Sequence, residues 1–390
     1  MKVAVVHEWL EHYAGSERVL EQILQCYPQA DVFAVVDFLV PEERGFLGGR
    51  PVKTSFIQKL PFARKHFRNY LQLMPLAVQQ FDLSTYDLVI SSNHAVAKGV
   101  LTGPKQVHVS YVHSPIRYAW DMQSQYLRES GLERGLKSMY VRWLLGKIRL
   151  WDAITANGVD LFMANSSYIA ARIKKAYRRE AVVVPPPVAV EDFTLGQGVR
   201  EGFLVASRFV PYKRIELIVE AFREMPQHRL TVVGTGVNAA LVTKAAENAP
   251  NITLRQPVKH AELVKLIQSA RAMVFAAEED FGITMVEAQA CGTPVIAFEE
   301  GGARDIFQAS GSNTATGVVF PEQTVASIIA AVHAFTQAEA GFSAAACRLN
   351  AMRFSEALFR QRFANEVTLA MLSAKRSTVL SAKNLAEAGD

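Results

Sequence analysis

Cysteine is scarce in this chain of 390 residues: Cys26, Cys291 and Cys347 are the whole complement, and no two stand as Cys-x-x-Cys. That pattern excludes a thiolate metal cluster and points to a reducing compartment. No uncharged run reaches the roughly 18 residues of a membrane-spanning helix. The opening MKVAVVHEWLEHYAG has too short an apolar stretch, broken too early by His7 and Glu8, for a secretory leader, so a cytoplasmic protein is expected. No Asp-x-Asp occurs anywhere. The dinucleotide fingerprint Gly-x-Gly-x-x-Gly is also incomplete. Gly234-Thr235-Gly236 follows a strand-like stretch, but position 239 is Ala and no acidic ribose partner stands at the expected distance, which counts against a nicotinamide dehydrogenase.

What is present is apolar sequence in alternating blocks. Hydrophobic residues make up 50% of the chain, too many for disorder to dominate, and the length suits two domains of roughly 150 to 200 residues. Strands are expected at 2–6, 31–36, 86–91, 107–112, 159–165 and 181–184, with helical segments between them, including a long basic and aromatic one over 124–155. After the Pro185-Pro186-Pro187 run, read as the start of a linker to about Arg200, the alternation resumes with strands at 203–207, 229–233, 252–255, 273–277 and 295–298. This is the α/β pattern of doubly wound parallel sheets.

Charge is uneven. The net charge is +5, but residues 1–190 carry +7 and the remainder −2. Basic and aromatic residues mix over 56–81 and 134–151, which suits either an anionic surface (membrane or polyanion) or solvated helix faces.

The stretch AMVFAAEEDFGITMVEAQACGTPVIA, 272–297, reads as strand, acidic loop, helix and strand. A parallel sheet binds ligands at such a loop, beyond the carboxyl end of a strand. Glu279 lies in the loop and Glu287 inside the helix, and Phe281-Gly282 lets backbone approach, a setting for a ligand rich in neutral hydroxyls. Upstream, FLVASRFVPYKRIELIVEAF places Arg208 and Lys213 in a loop before a helix, where a fork and a point charge suit a diphosphate. In the first half, Gly15 precedes a helix with Val19, Leu20, Ile23 and Leu24 on one face. His113 ends the strand Val107–Val112 in Tyr-Val-His-Ser-Pro.

These motifs resemble the retaining glycosyltransferases of family 4, which have the GT-B fold: two Rossmann-like domains facing a cleft, with a C-terminal helix crossing back to the first domain. The resemblance implies domains at 1–190 (acceptor) and 200–360 (donor), with 361–390 as the returning helix and tail. It implies that Arg208 and Lys213 bind the donor diphosphate, that Glu279 touches the donor sugar and Glu287 the ribose, and that Phe281, Gly282 and Ile283 offer backbone amides. It places His113 near the reaction centre, Gly15 beside the diphosphate although Ala14 replaces the first Gly of the family's Gly-Gly pair, and Val258 beside the base. Residues 116–121 fall on the acceptor side.

The segments AVAKGVLTGP, YVHSPIRYAWD and AEEDFGI are similar to those of bacterial O-antigen and exopolysaccharide mannosyltransferases. The implied reaction moves mannose from GDP-mannose, or a deoxyhexose from a closely related GDP-linked donor, to a lipid-linked glycan, with no metal or other cofactor and no nucleic-acid partner, at the anionic inner face of the cytoplasmic membrane. Missing Asp-x-Asp argues against a metal-dependent GT-A enzyme. A sugar-nucleotide epimerase on the same fold and a catalytically silent sugar-nucleotide-binding protein remain as alternatives.

Overall fold

The computed structural model describes residues 1–307 and 314–387, with side chains through residue 376. The chain divides into two compact units. One is Met1–Pro187 together with the segment from Phe359 onward, and the other is Val188–Leu358.

The first unit is built on seven parallel strands: β1 (Val3–Leu10), β2 (Asp31–Asp37), β3 (Val52–Thr54), β4 (Leu88–Asn93), β5 (Val107–Val112), β6 (Leu161–Ala164) and β7 (Val182–Val183), in the order β3-β2-β1-β4-β5-β6-β7. The strands read as nearly continuous apolar runs because both faces of the sheet are covered. Val3 and Val5 point to one core with Leu20, Ile23, Phe359 and Phe363, while Ala4 and Val6 point to another with Leu145 and Ile148.

Three expectations are corrected here. β1 does not end at Val6. It runs to Leu10 because His7 and Glu8 are fully buried and bonded, with Glu8 Oε1 accepting from the backbone amides of His94, Ala95, Val96 and Ala97 at 2.7–3.0 Å. The segment 124–155 is two helices, Gln123–Glu129 and Leu136–Thr155, parted where Gly131 and Gly135 take positive φ. Between the strands expected at 31–36 and 86–91, where helical segments alone were expected, the short strand β3 follows Gly48 and Gly49, and the basic, aromatic segment after it forms a series of short helical turns.

The second unit has six parallel strands: β8 (Phe203–Ala206), β9 (Leu230–Val233), β10 (Ile252–Arg255), β11 (Ala272–Phe275), β12 (Val295–Phe298) and β13 (Gly317–Phe320). Their order is β10-β9-β8-β11-β12-β13. The residues read as a linker are not free. Val188, Val190 and Phe193 are buried in this unit's core, Val188 pairs with Ser355, and Arg348 donates to the carbonyl of Val190 at 2.6 Å. The last helix, Glu356–Glu387, begins at the edge of the second unit, and its Phe359, Phe363 and Val367 belong to the core of the first. No single helix among the described residues is long and apolar enough to cross a membrane.

Candidate active site

In both sheets the connection reverses direction between two neighbouring strands, β1 and β4 in the first, β8 and β11 in the second, and such a switch point is where an open α/β sheet takes its ligands, beyond the carboxyl ends of the strands. Gly15 follows β1, Arg208 and Lys213 follow β8, and Glu279, Phe281 and Gly282 follow β11, whereas His113 follows β5 and Val258 follows β10.

In the second unit, Lys213 lies in the turn Pro211–Lys213 after β8, and Glu279 in the loop after β11. Lys213 Nζ donates to Glu279 Oε1, an ion pair whose side chains are 17% and 15% exposed. The two face a small cavity lined also by Val205, Ser207, Ile215 and Ala277. Arg208 is exposed on the same loop as Lys213. Gly282 caps the helix Ile283–Ala290 at φ +100°, a conformation that side chains rarely adopt. Phe281 is core, edge-on to Phe354 at 5.4 Å, so only its backbone faces the loop. Glu287 is buried within that helix, and Ile283 is half-buried at its start. Val258, between β10 and the helix His260–Ser269, is half-buried and packs its side chain on the core.

Gly301-Gly302 reads in the sequence as the end of a strand able to approach phosphate, but it stays outside the predicted site because Asp305 replaces the Glu usual in the resembling family. Gly301 and Gly302 lie against the acidic loop: Gly302 N donates to the Glu279 carbonyl at 2.8 Å, and a Cβ on Gly302 would stand 2.3 Å from Phe281 Cα. The two glycines hold the backbone of the Glu279 loop. The signal available was their position directly after β12, the neighbour of β11.

In the first unit, Gly15 opens the helix Gly15–Cys26 and is exposed, while Glu17 turns back to accept from Ala14 N at 3.1 Å. His113 follows β5 and is half-buried. Its backbone amide donates to the Asn93 carbonyl at 2.8 Å, and its carbonyl accepts from Asn165 Nδ2 at 2.9 Å. Burial, then the neighbouring His94 and His7, push its pKa well below the usual histidine range. Residues 116–121 are largely structural: Ile116 and Ala119 are core, Trp120 Nε1 donates to Asp152 at 2.7 Å, and Asp121 pairs with Arg172.

Sequence reasoning also missed the buried ion pair of Lys98 and Asp152, Nζ to Oδ1 2.7 Å with both side chains fully buried, which ties the turn after β4 to the helix Leu136–Thr155. That helix presents Leu136, Tyr140, Trp143, Leu150 and Ile154 to the exterior at helical spacing, beside exposed Lys137, Arg142 and Lys147. Among the described residues no three His, Cys, Asp or Glu side chains assemble as a metal set.

Residues 13–192 match the family described as Glycosyltransferase Family 4, and residues 197–351 the family described as Glycosyl transferases group 1. The D-inositol 3-phosphate glycosyltransferase of Kineococcus radiotolerans is 30% identical over 186 residues, 39% of this chain and 43% of the relative. That of Geodermatophilus obscurus is 32% identical over 176 residues, 37% and 39% of the two chains. The chain thus spans less than half the length of these curated relatives, and they are inositol-phosphate glycosyltransferases where mannosyltransferases were expected. Among solved structures, HepE of Anabaena in complex with UDP is similar at a TM-score of 0.66 and 16% identity, covering 94% of this chain and 100% of that one. Sucrose-phosphate synthase of Thermosynechococcus elongatus gives 0.70 and 14%, covering 96% and 100%. At such identities the likeness is one of fold. Matched through both halves, the chain carries a glycosyltransferase family 4 domain followed by a glycosyltransferase group 1 domain, two Rossmann-like domains of the GT-B type.

Proposed function

We propose that the protein is a retaining hexosyltransferase that moves a sugar from a nucleotide diphosphate donor to a glycan hydroxyl. The observation that carries this reading is the meeting of Lys213 and Glu279 at the switch point of the six-stranded sheet, within a group 1 domain. Cation and carboxylate there match the two ends of a sugar diphosphate: Lys213 and the exposed Arg208 take the phosphates, and Glu279 accepts from sugar hydroxyls. Negative charge grows on the departing diphosphate as the glycosidic bond breaks, so fixed cations lower the barrier. Removing one such group costs about 3 kcal/mol, roughly a hundredfold in rate. Glu287 takes the ribose. The acceptor attacks from the face that the diphosphate leaves, without a glycosyl-enzyme, because Glu279 is already paired with Lys213.

In finer terms, the donor is GDP-mannose and the acceptor a lipid-linked glycan of a bacterial surface polysaccharide, with the enzyme working in the cytoplasm at the anionic inner membrane face. The support for membrane attachment is the exposed Tyr140, Trp143 and Leu150 beside Lys137, Arg142 and Lys147. A second reading, a UDP-sugar donor and a phosphorylated cyclitol acceptor, is favoured by the names of the matched relatives and by HepE with UDP-glucose. Calorimetry with GDP and UDP decides between the donors: tighter UDP binding removes the GDP assignment. A donor screen with lipid-linked and inositol phosphate acceptors decides the rest. Turnover without any acceptor would indicate an epimerase, and binding without turnover a silent partner.

A further inference from the structure

The carboxyl ends of β1, β4 and β5 carry a chain of polar side chains that the transfer reaction as described leaves unused. Glu17 Oε1 lies 3.3 Å from His7 Nε2, His7 Nδ1 lies 3.1 Å from Ser92 Oγ, and Ser92 Oγ lies 2.8 Å from His113 Nε2. His7 and Ser92 are register partners across β1 and β4, and both are fully buried.

Proton counting fixes the directions. Burial alone would raise the Glu17 carboxyl, but the hydrogen bond and charge of His7, with Ser16 and backbone, bring it down to about 2, so it is ionised and can only accept. His7 Nε2 must therefore donate. In neutral His7 the Nδ1 is then a lone pair, and it accepts the one proton of the Ser92 hydroxyl. Ser92 Oγ is left to accept from His113 Nε2–H. That leaves His113 Nδ1 as an acceptor, and it has no hydrogen-bond partner within the protein among the described residues. A proton added at His113 Nδ1 leaves every bond in place, and one further arrangement with that extra proton also satisfies them all. If His7 carries two protons, Ser92 reverses and donates to His113 Nε2, and His113 Nδ1 carries a proton outward.

We propose that Glu17, His7 and Ser92 act as a proton relay behind His113: a proton taken up at His113 Nδ1 is passed inward, and the positive charge comes to rest on His7 against Glu17. Resting on the transferase reading, the step balances as follows. The acceptor hydroxyl gives its proton to His113 Nδ1 while its oxygen bonds the sugar. The bond from the sugar to the diphosphate breaks, with its electron pair leaving on the diphosphate. His113 Nε2–H passes to Ser92, and the Ser92 proton passes to His7 Nδ1. The return path delivers the proton to solvent or to the leaving group. His113 is the catalytic member, and the other three are positioning residues.

The surroundings favour this division of charge. His94, with its ring centroid 6.1 Å from His113 and 6.4 Å from His7, is held neutral, its pKa lowered by burial and then by His7 to about 3, so it adds no competing cation. Tyr111 packs edge-on to His113 at 5.3 Å and stays protonated because burial raises it far above its ordinary value. Asn165 reaches His113 at its carbonyl, through Nδ2 at 2.9 Å. Arg68 and Arg117 act on His94 from further out. Glu17 is the carboxylate that meets the His7 ring, and the buried Glu8 beside it in β1 is held by the backbone amides of His94 to Ala97.

The test is a ring-nitrogen titration of histidine-labelled full-length protein by long-range proton–nitrogen NMR, which needs no substrate. The expected result is that His7 and His113 change protonation in one coupled step, with Nε2–H on both rings above it. In Ser92→Ala the two rings titrate separately, and Ser92→Thr restores the coupling. Independent titration in the parent protein, or a Ser92→Ala variant still coupled, overturns the relay. Glu17→Gln is a second probe and should leave His7 unable to hold the charge, abolishing the coupled step; persistence of that step in Glu17→Gln likewise overturns it. In turnover, Ser92→Ala should lower kcat roughly tenfold or more with KM little changed and a displaced pH profile. Coupled rings in a protein that transfers no sugar would sink the transferase reading and leave the relay standing.

Discussion

Replacing Glu279 with Gln separates the two halves of the candidate donor site. The substitution keeps the shape and a hydrogen-bond acceptor but removes the charge that Lys213 faces. A diphosphate bound to Lys213 would lie on the far side of the ammonium, about 6 Å from the Glu279 carboxylate. Unit charges at that separation and an effective dielectric of about 40 repel by roughly 1.4 kcal/mol, a tenfold penalty on binding that the wild-type protein carries. Glu279→Gln should therefore bind a nucleoside diphosphate about tenfold more tightly while losing turnover by roughly a hundredfold, since the sugar hydroxyls lose a charged acceptor. Lys213→Met should lose both affinity and turnover. The pair is about 15% exposed, so the Glu279 variant should also lose on the order of 1 kcal/mol of stability from the unpaired ammonium, seen as a lower urea midpoint. Calorimetry with GDP and UDP beside steady-state kinetics measures all of these. If Glu279→Gln weakens the nucleotide as much as Lys213→Met does, the assignment of cation to phosphate and carboxylate to sugar is wrong.

Gly302→Ala should cost several-fold in activity and about 1–3 kcal/mol in stability, because its Cβ would press on the Phe281 backbone at 2.3 Å; a chemical-denaturation curve matching the parent would contradict the close approach. His108 is fully buried, with its pKa lowered by burial to about 4. The unfolded chain, titrating near 6.5, binds the proton first, so stability should fall as the pH drops below about 6.5, by roughly 2 kcal/mol at pH 5, and His108→Gln should flatten that slope in urea midpoints. Trp143→Ser with Leu150→Ser should reduce flotation with anionic vesicles several-fold; equal recovery of parent and variant, or equal binding to neutral vesicles, would reject membrane docking by the exposed face of Leu136–Thr155.

The central strands were legible because buried parallel strands are written as short apolar runs: β5 and β12 fall where the sequence places them, and the Lys213 and Glu279 loops follow from their position after β8 and β11. What escaped was whatever depends on partners distant in sequence. His7 and Glu8 looked like loop residues because a polar side chain in a strand is satisfied by groups some 85 residues away, Ser92 and the amides after β4. Lys98 reads as a surface lysine until Asp152 is seen beside it. Val188 to Phe193 look like a linker because a triproline precedes them, yet three apolar side chains among six residues are enough to dock the strand-like segment on a core. Gly301 and Gly302 carry no chemistry of their own, and their purpose appears only when the Glu279 backbone is found against them.

The helix Glu356–Glu387 has a consequence for the order in which the protein is made. The ribosome releases the seven strands of the first unit before any of the second, yet one face of that sheet is completed by Phe359, Phe363 and Val367, which emerge only after the second unit. The second unit, Val188–Leu358, is contiguous and can close as soon as it leaves the exit tunnel. The half synthesised first is thus the half finished last, and until then its apolar patch around Leu20, Ile23 and Tyr111 stands open to whatever chaperone or neighbouring chain meets it.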